Sequence, residues 1–310
     1  MQFTNLLMNL SKSFYQYTPA AHFLVTDEDA ADFLQSQFTN DLRPFDSGQA
    51  TYGLWLDVKG KVIADSVVIC EGIKQFRVIS ECCIGEFIAA HLERHIIADD
   101  VEIEHCESTY GFELPAQAVK ALGLESPKSA RFLRIEDGIL YSVHDSIYNM
   151  VLYTKSAGKL VHEKLIDLGF VEFTVYEQGL ARIDRGRPLV PNEIGLADLP
   201  GEGGLERNAI SFTKGCYLGQ EVVARMHNVG RAQRDLFVVR GKGAIPELPL
   251  VLRNIDSKQV GELRTAYMNG ETWQGVAILK TRFVGVGETL GYDIHEVSVV
   301  RALREALKND

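Results

Sequence analysis

The chain has 310 residues, about two domain lengths, and its 46% apolar and 24% charged content is the balance of an ordinary globular protein. That mix argues against disorder, collagen and disulfide-scaffold architectures, and the longest uncharged apolar runs, such as residues 67–70, are strand-sized and far too short to cross a bilayer. With 32 Lys and Arg against 42 Asp and Glu, the net charge of −10 makes a poor general binder of nucleic acid or membrane surface, since phosphate affinity rests on clustered cations.

In chain order, residues 20–25 read as a first strand. Thr26 with Asp29 is a candidate cap for a helix through about Phe38, with Ala30, Phe33, Leu34 and Phe38 as its apolar stripe. Strands are predicted at 52–58, 62–69 and 76–79, the first two joined by a tight turn at Lys59-Gly60. Ser80 is read as the cap of a second helix whose stripe is Ile84, Phe87, Ile88, His91, Leu92 and His95. Strands at 101–105 and 110–114 precede a short helix that opens at Pro115 and stops at Gly123. Further strands at 131–134, 139–143 and 148–153 lead to a helix over 156–169. Residues 172–240, with Pro188, Pro191, Pro200 and many glycines, read as loop-dominated chain. Short β-rich runs beyond Leu236 predict a small β domain. The expected class is therefore α+β, with one domain over 1–234 and a small β domain over 235–310.

Five cysteines (Cys70, Cys82, Cys83, Cys106 and Cys216) include no CxxC pair, and neighbouring Cys82 and Cys83 are too constrained for an ordinary disulfide. A reduced, cytoplasmic protein is expected, the first 26 residues lacking a signal-peptide pattern and carrying Lys12 as their one charge. No phosphate loop and no GxSxG elbow occurs. His91 and His95 have a chelating spacing but no third partner, and read as half-buried stripe residues, so no metal site is assigned. No coiled-coil pattern occurs either, and a monomer is expected.

The informative stretch is Lys214-Gly215-Cys216-Tyr217-Leu218-Gly219-Gln220-Glu221. A cysteine beside a lysine, just before a helix-like run, has the ingredients of a stabilised thiolate, because a cation and helix N-terminal amides both favour the charged sulfur. Between residues 214 and 242 the chain carries six cations (Lys214, Arg225, Arg231, Arg234, Arg240 and Lys242) against Glu221 and Asp235. In an acidic chain this island points to an anionic ligand, a carboxylate tail or a phosphate; a glycine turn with a buried thiol and a solvated basic face fits the same residues.

KGCYLGQE resembles the signature of the YgfZ family of folate-binding proteins, whose relatives include mitochondrial iron–sulfur assembly factors and, more distantly, the T-protein aminomethyltransferase of the glycine cleavage system. Phe33–Asp41 (FLQSQFTND), Lys59–Asp65 (KGKVIAD), Ala181–Pro188 (ARIDRGRP) and Val260–Leu263 resemble further family segments in the same order. The resemblance implies ferredoxin-like subdomains around a central channel, a C-terminal β-barrel, and tetrahydrofolate or a one-carbon derivative as cofactor. It places Asp65 and Asp184 on the pterin, with Asp184 one methylene shorter than the family's glutamate. Arg182, Arg225, Tyr217, Gln220 and Glu221 fall around the folate, and Cys216, aided by Lys214, is the reactive thiol. The implied role is assembly or repair of iron–sulfur clusters in client enzymes, tRNA-modifying ones included, as an assembly factor more than as an enzyme with its own turnover. A folate-dependent aminomethyltransferase and a scaffold with a degenerate folate pocket are the alternatives. T-proteins lack the octet's cysteine, which favours the iron–sulfur side.

Overall fold

Two short strands, β1 (Ser13–Tyr17) and β2 (Ala21–Thr26), open the fold, and in β2 the alternate residues Ala21, Phe23 and Val25 are buried, as a strand with one covered face requires. The computed structural model describes residues 10–143, 148–230, 232–293 and 295–305. They divide into two units: Met1–Val58, Ile63–Thr174 and Asn208–Gln220 form the first, while Lys59–Val62, Val175–Arg207 and Glu221–Asp310 form the second.

In the first unit, helix α1 (Ala30–Gln37) precedes strands β3 (Ala50–Leu56), β4 (Val62–Gly72) and β5 (Gln75–Ser80). Helix α2 (Gly85–Glu93) leads to β6 (Glu102–His105) and β7 (Thr109–Pro115), then α3 (Ala116–Ala121). Strands β8 (Arg131–Ile135), β9 (Gly138–Ser142) and β10 (Tyr148–Thr154) are followed by α4 (Lys155–Asp167) and the two-residue β11 (Val171–Glu172). One sheet runs β3-β4-β5-β2-β6 and the other β11-β1-β7-β10-β9-β8. Ala50, Ile69 and Ile79 of the first meet Phe132, Tyr141, Met150 and Leu152 of the second in a shared core. On its other face the second sheet buries Phe14, Phe112 and Val151 against Val119 of α3 and Leu165 of α4.

Two expected caps have other duties. Asp29 precedes α1, but its carboxylate accepts the Asp100 N–H at 2.8 Å and caps nothing. Ser80 stays extended because β5 pairs there with β2, Ala21 opposite Ser80, so α2 begins five residues later and leaves Ile84 and Phe87 exposed.

The second unit holds a helix inside the stretch expected to be loop: α5 (Val175–Asp184), buried from Gln178 to Asp184. Gly179 within it faces the Tyr267 ring, where a Cβ would sit 2.4 Å from a ring carbon; the residue that weakens the helical pattern in the sequence is the one that lets the helix approach. Helix α6 (Gln220–Val229) crosses from the first unit's last residue into the second. Strands β12 (Arg234–Lys242), β13 (Leu250–Arg253), β14 (Gln259–Asn269), β15 (Thr272–Lys280), β16 (Thr289–Tyr292) and β17 (His295–Ala302) close a barrel in the order β12-β15-β14-β13-β16-β17 around Trp273, Val239, Leu263 and Val297.

Buried ion pairs order the Pro- and Gly-rich chain between α5 and residue 207. Arg182 is 5% exposed and grips Glu193, itself fully buried, at 2.6 and 2.9 Å, while Thr265 Oγ1 also donates to that carboxylate. Asp198 accepts from Arg264 and from the Gly195 N–H, and Arg234 holds Glu202 at 2.7 and 2.8 Å. Removing one member strands a buried charge, which costs about 3–5 kcal/mol. Arg182→Met is therefore expected to lower the stability of the second unit by that amount in urea unfolding; an unchanged midpoint would show that the pair is dispensable.

Residues 208–220 return to the first unit and dock on the end of α1. The Lys214 ammonium, 7% exposed, donates to the carbonyls of Gln35, Phe38 and Asn40 at 2.8, 2.6 and 2.8 Å. Those are carbonyls at and beyond a helix C-terminus, which lack helical partners and sit in the negative end of the helix dipole. Thr39 adds a hydroxyl bond to Ala209 O at 2.6 Å, and Leu218 N–H reaches Ser36 O at 3.0 Å. Lys214→Met leaves buried acceptors without a donor, and a loss of about 2–4 kcal/mol is expected in denaturant unfolding of the whole chain.

Candidate functional site

The docked segment displays one thiol. Lys214 and Tyr217 are buried, whereas Gly215 and Cys216 between them are exposed, so the chain is pinned on both sides of the sulfur. The Lys214 ammonium lies 5.4 Å from the centre of the Tyr217 ring, a cation–π contact, and burial pushes the Tyr217 hydroxyl up to about 12. Burial also pushes the Lys214 ammonium down to about 8, with Asp41 opposing. The hydrogen bonds of the Lys214 ammonium go to carbonyls and none to Cys216, so the lysine sets the loop's shape and makes no hydrogen bond to the sulfur. Gly219 adopts φ +80°, the left-handed turn that lets α6 start at half-buried Gln220, whose N–H bonds Tyr217 O at 3.1 Å. Glu221 and Arg225 are exposed on that helix.

Asp65 stands at a second focus in the same unit. The Lys59-Gly60 turn, with Gly60 at φ +71°, brings β4 back along β3. Tyr52 on β3 then donates to Asp65 Oδ2 at 2.9 Å, while Ser80 Oγ and Cys83 Sγ donate to Oδ1 at 3.2 and 3.3 Å. Alternation along β3 gives two of its aromatics, Tyr52 and Trp55, different duties. Trp55 is core, its ring 4.8 Å from that of Phe38 and its N–H on Ser66 Oγ at 2.9 Å, and Tyr52 serves the carboxylate. Chemically this is a half-buried acid held by hydroxyl and thiol donors, able to accept N–H groups of a heterocycle.

The remaining expected residues lie in the second unit. Asp184, at the end of α5, is 5% exposed; Gln274 donates to it at 3.2 Å and the Arg301 guanidinium stands 3.9 Å away. Burial raises its carboxyl above the usual range, Gln274 and Arg301 opposing. Arg182 is spent on Glu193, so it gives internal structure and not a surface for a ligand. Of the cationic island, Arg234 is paired internally, Arg225, Arg240 and Lys242 are exposed, and Arg231 lies outside the described residues. Ser80, Cys83, Gln274 and Glu193 gave no site signal in the sequence, because the fold alone brings each of them to its partner.

Among the described residues no group of three or more His, Cys, Asp or Glu side chains is arranged to hold a metal ion. His91 is buried, pushed down to about 4 by burial and then by His95, with Nε2 lacking a partner. No described helix is long and apolar enough to cross a membrane.

Residues 13–135 match the GCVT N-terminal domain family. The chain is 28% identical over 240 residues to the tRNA-modifying protein YgfZ of Hamiltonella defensa, covering 72% of this chain and 69% of that protein. It is 30% identical over 242 residues to the human mitochondrial iron–sulfur cluster assembly factor IBA57, covering 72% of this chain and 64% of that protein. In structure it is similar to the glycine cleavage system aminomethyltransferase T of Bartonella henselae, with a TM-score of 0.80, 13% identity, and coverage of 96% of this chain and 87% of that one. This chain is thus similar to the YgfZ and IBA57 proteins over most of its length and has the T-protein fold, with a stretch that matches the GCVT N-terminal domain family and a closed six-stranded C-terminal barrel.

Proposed function

We propose that this protein is a tetrahydrofolate-binding factor for the assembly or repair of iron–sulfur clusters in client enzymes, tRNA-modifying ones among them. The observation that carries the reading is Cys216: an exposed thiol clamped between buried Lys214 and Tyr217 in the segment that resembles the family octet. The names of its homologues, a tRNA-modifying protein and an iron–sulfur assembly factor, support the same role. One thiolate is too few to hold a cluster, which takes four, and Cys70 and Cys83 are buried. Cys216 therefore acts transiently, on a cluster, a persulfide or a partner thiol, with Lys214 fixing where the sulfur stands. Cys70, Cys82, Cys83, Cys106 and Cys216 form no disulfide, which suits a reducing compartment such as the cytosol. A monomer is expected to suffice.

Asp65 fits folate: its carboxylate is half-exposed, oriented by Tyr52, Ser80 and Cys83, and of the chemistry that accepts a pterin N–H edge. The folate would supply a one-carbon carrier. Asp184 is a weaker fit because it is buried on Gln274, and Arg182 does not fit. Exposed Arg225 is the candidate for the glutamate carboxylates of folate or for an acidic client surface, with Gln220 and Glu221 beside it on α6.

Calorimetric titration of tetrahydrofolate into the reduced protein is expected to show binding that Asp65→Ala weakens more than about tenfold, roughly 1.4 kcal/mol. Absence of any reduced-folate binding would replace the reading with a scaffold whose pocket has degenerated. Cys216→Ser is expected to keep the fold and the folate affinity while client iron–sulfur enzyme activity falls in cells lacking the wild-type protein. Full restoration by the mutant would remove the thiol role. The T-protein fold favours one other reading, aminomethyl transfer, which turnover with aminomethylated lipoyl carrier protein would establish.

A further inference from the structure

A buried cysteine is ordinarily a small apolar filler whose S–H finds a nearby carbonyl. Cys70 behaves so: it is buried, and its thiol points to Phe45 O and Gly72 O at 3.3 and 3.6 Å. Cys83 is equally buried at 3% exposure but points at an ionisable group, donating to Asp65 Oδ1 at 3.3 Å. Ser80 closes the arrangement. Its hydroxyl donates to the same Oδ1 at 3.2 Å while its oxygen accepts the Cys83 N–H at 3.1 Å, so one hydroxyl ties the cysteine's backbone to the carboxylate its thiol addresses. The result is a ring of three hydrogen bonds through Asp65, Ser80 and Cys83. It is built where β5 ends and the chain turns toward α2.

An S–H is a weak donor that loses to water in the open, so it has directional value only where water is excluded. The 3% exposure of Cys83 supplies that exclusion. Burial, and next to it the negative charge of Asp65, raise the thiol far above its ordinary range, which keeps the proton on sulfur and the donor intact at neutral pH. Tyr52 meanwhile holds Oδ2 at 2.9 Å from the opposite strand. Each carboxylate oxygen thus has a donor from a different element, and the side chain's rotation is fixed.

We propose that Cys83 is a positioning residue: with Ser80 it fixes the rotation of the Asp65 carboxylate, and through that carboxylate it sets the affinity for the pterin N–H edge of folate. The proposal rests on the folate-binding reading given above, and two measurements separate the two.

The first is the infrared S–H stretching band of the intact protein. The component that disappears in Cys83→Ala belongs to this thiol. In Asp65→Ala that component is expected to move to higher frequency, because its acceptor is gone. An unmoved band overturns the proposal whatever folate does. The second is tetrahydrofolate titration of folded, full-length variants. Cys83→Ala is expected to weaken binding about five- to tenfold, the size of one lost hydrogen bond. Cys83→Ser, which restores a donor, is expected to return affinity to within about twofold of wild type, a rescue that simple cavity filling does not explain. If Asp65→Ala abolishes binding while Cys83→Ala leaves it unchanged, the positioning role is wrong and the folate reading stands. If Asp65→Ala itself leaves binding unchanged, folate is held elsewhere and the role of Cys83 in ligand affinity is wrong, whereas absence of binding to the wild type removes the folate reading itself.

Discussion

One ammonium group organises the first unit. Lys214 brings a positive charge to the negative end of α1 and satisfies three carbonyls that the helix and the turn after it leave without partners. An ammonium is suited to this because its three protons fan out from a single atom, matching three acceptors that converge there; a planar guanidinium has no such geometry. The helix end therefore depends on the loop and the loop on the helix end. Cys216 owes its display to that mutual dependence, since the chain is fixed two residues before it and again at buried Tyr217 directly after it.

The second unit is ordered by a different device. Its Pro- and Gly-rich stretch has few apolar side chains to bury, and it is held by carboxylates: Glu193 on Arg182, Asp198 on Arg264, and Glu202 on Arg234. Buried pairs of this kind add little net stability over apolar packing, but they tolerate few alternative arrangements. They also consume part of the positive charge that the sequence displays, so the surface available to an anion is smaller than the residue count between 214 and 242 suggests. Arg225 and Lys242 are exposed, whereas Lys214 and Arg234 are committed inside the protein.

The sequence carried the α+β class, most strands of the first unit and the β-rich character of the C-terminal part, because alternating apolar residues and turn glycines are local signals; that this part closes into a barrel came from the resemblance. It also carried two of the segments that meet, since Phe33–Asp41 and the octet each resemble a family motif, though nothing in either says that they touch. Helix α5 was hidden because Gly179 breaks the helical pattern, and the reason for that glycine is Tyr267, far away in the chain. The internal role of Arg182, which the resemblance placed around the folate, was hidden for a similar reason: its carboxylate partner follows eleven residues later, and Thr265, which also donates to that carboxylate, lies on β14. Ser80 matched a helix cap by residue type, and only its pairing opposite Ala21 shows that the strand continues through it.

The contacts of Lys214 also have a temporal meaning. Its acceptors lie 174 to 179 residues earlier in the chain, and the intervening excursion over Val175–Arg207 belongs to the other unit. Contacts of such long sequence separation form late, because a large loop must close before they repay its entropy. During synthesis, α1 emerges long before the lysine that completes it. The Cys216 sulfur thus reaches its final setting only after two thirds of the polypeptide has been made and the early part of the unit has folded, so that a truncated or stalled chain presents no ordered thiol. Completion of the first unit and display of its exposed thiol become a single event.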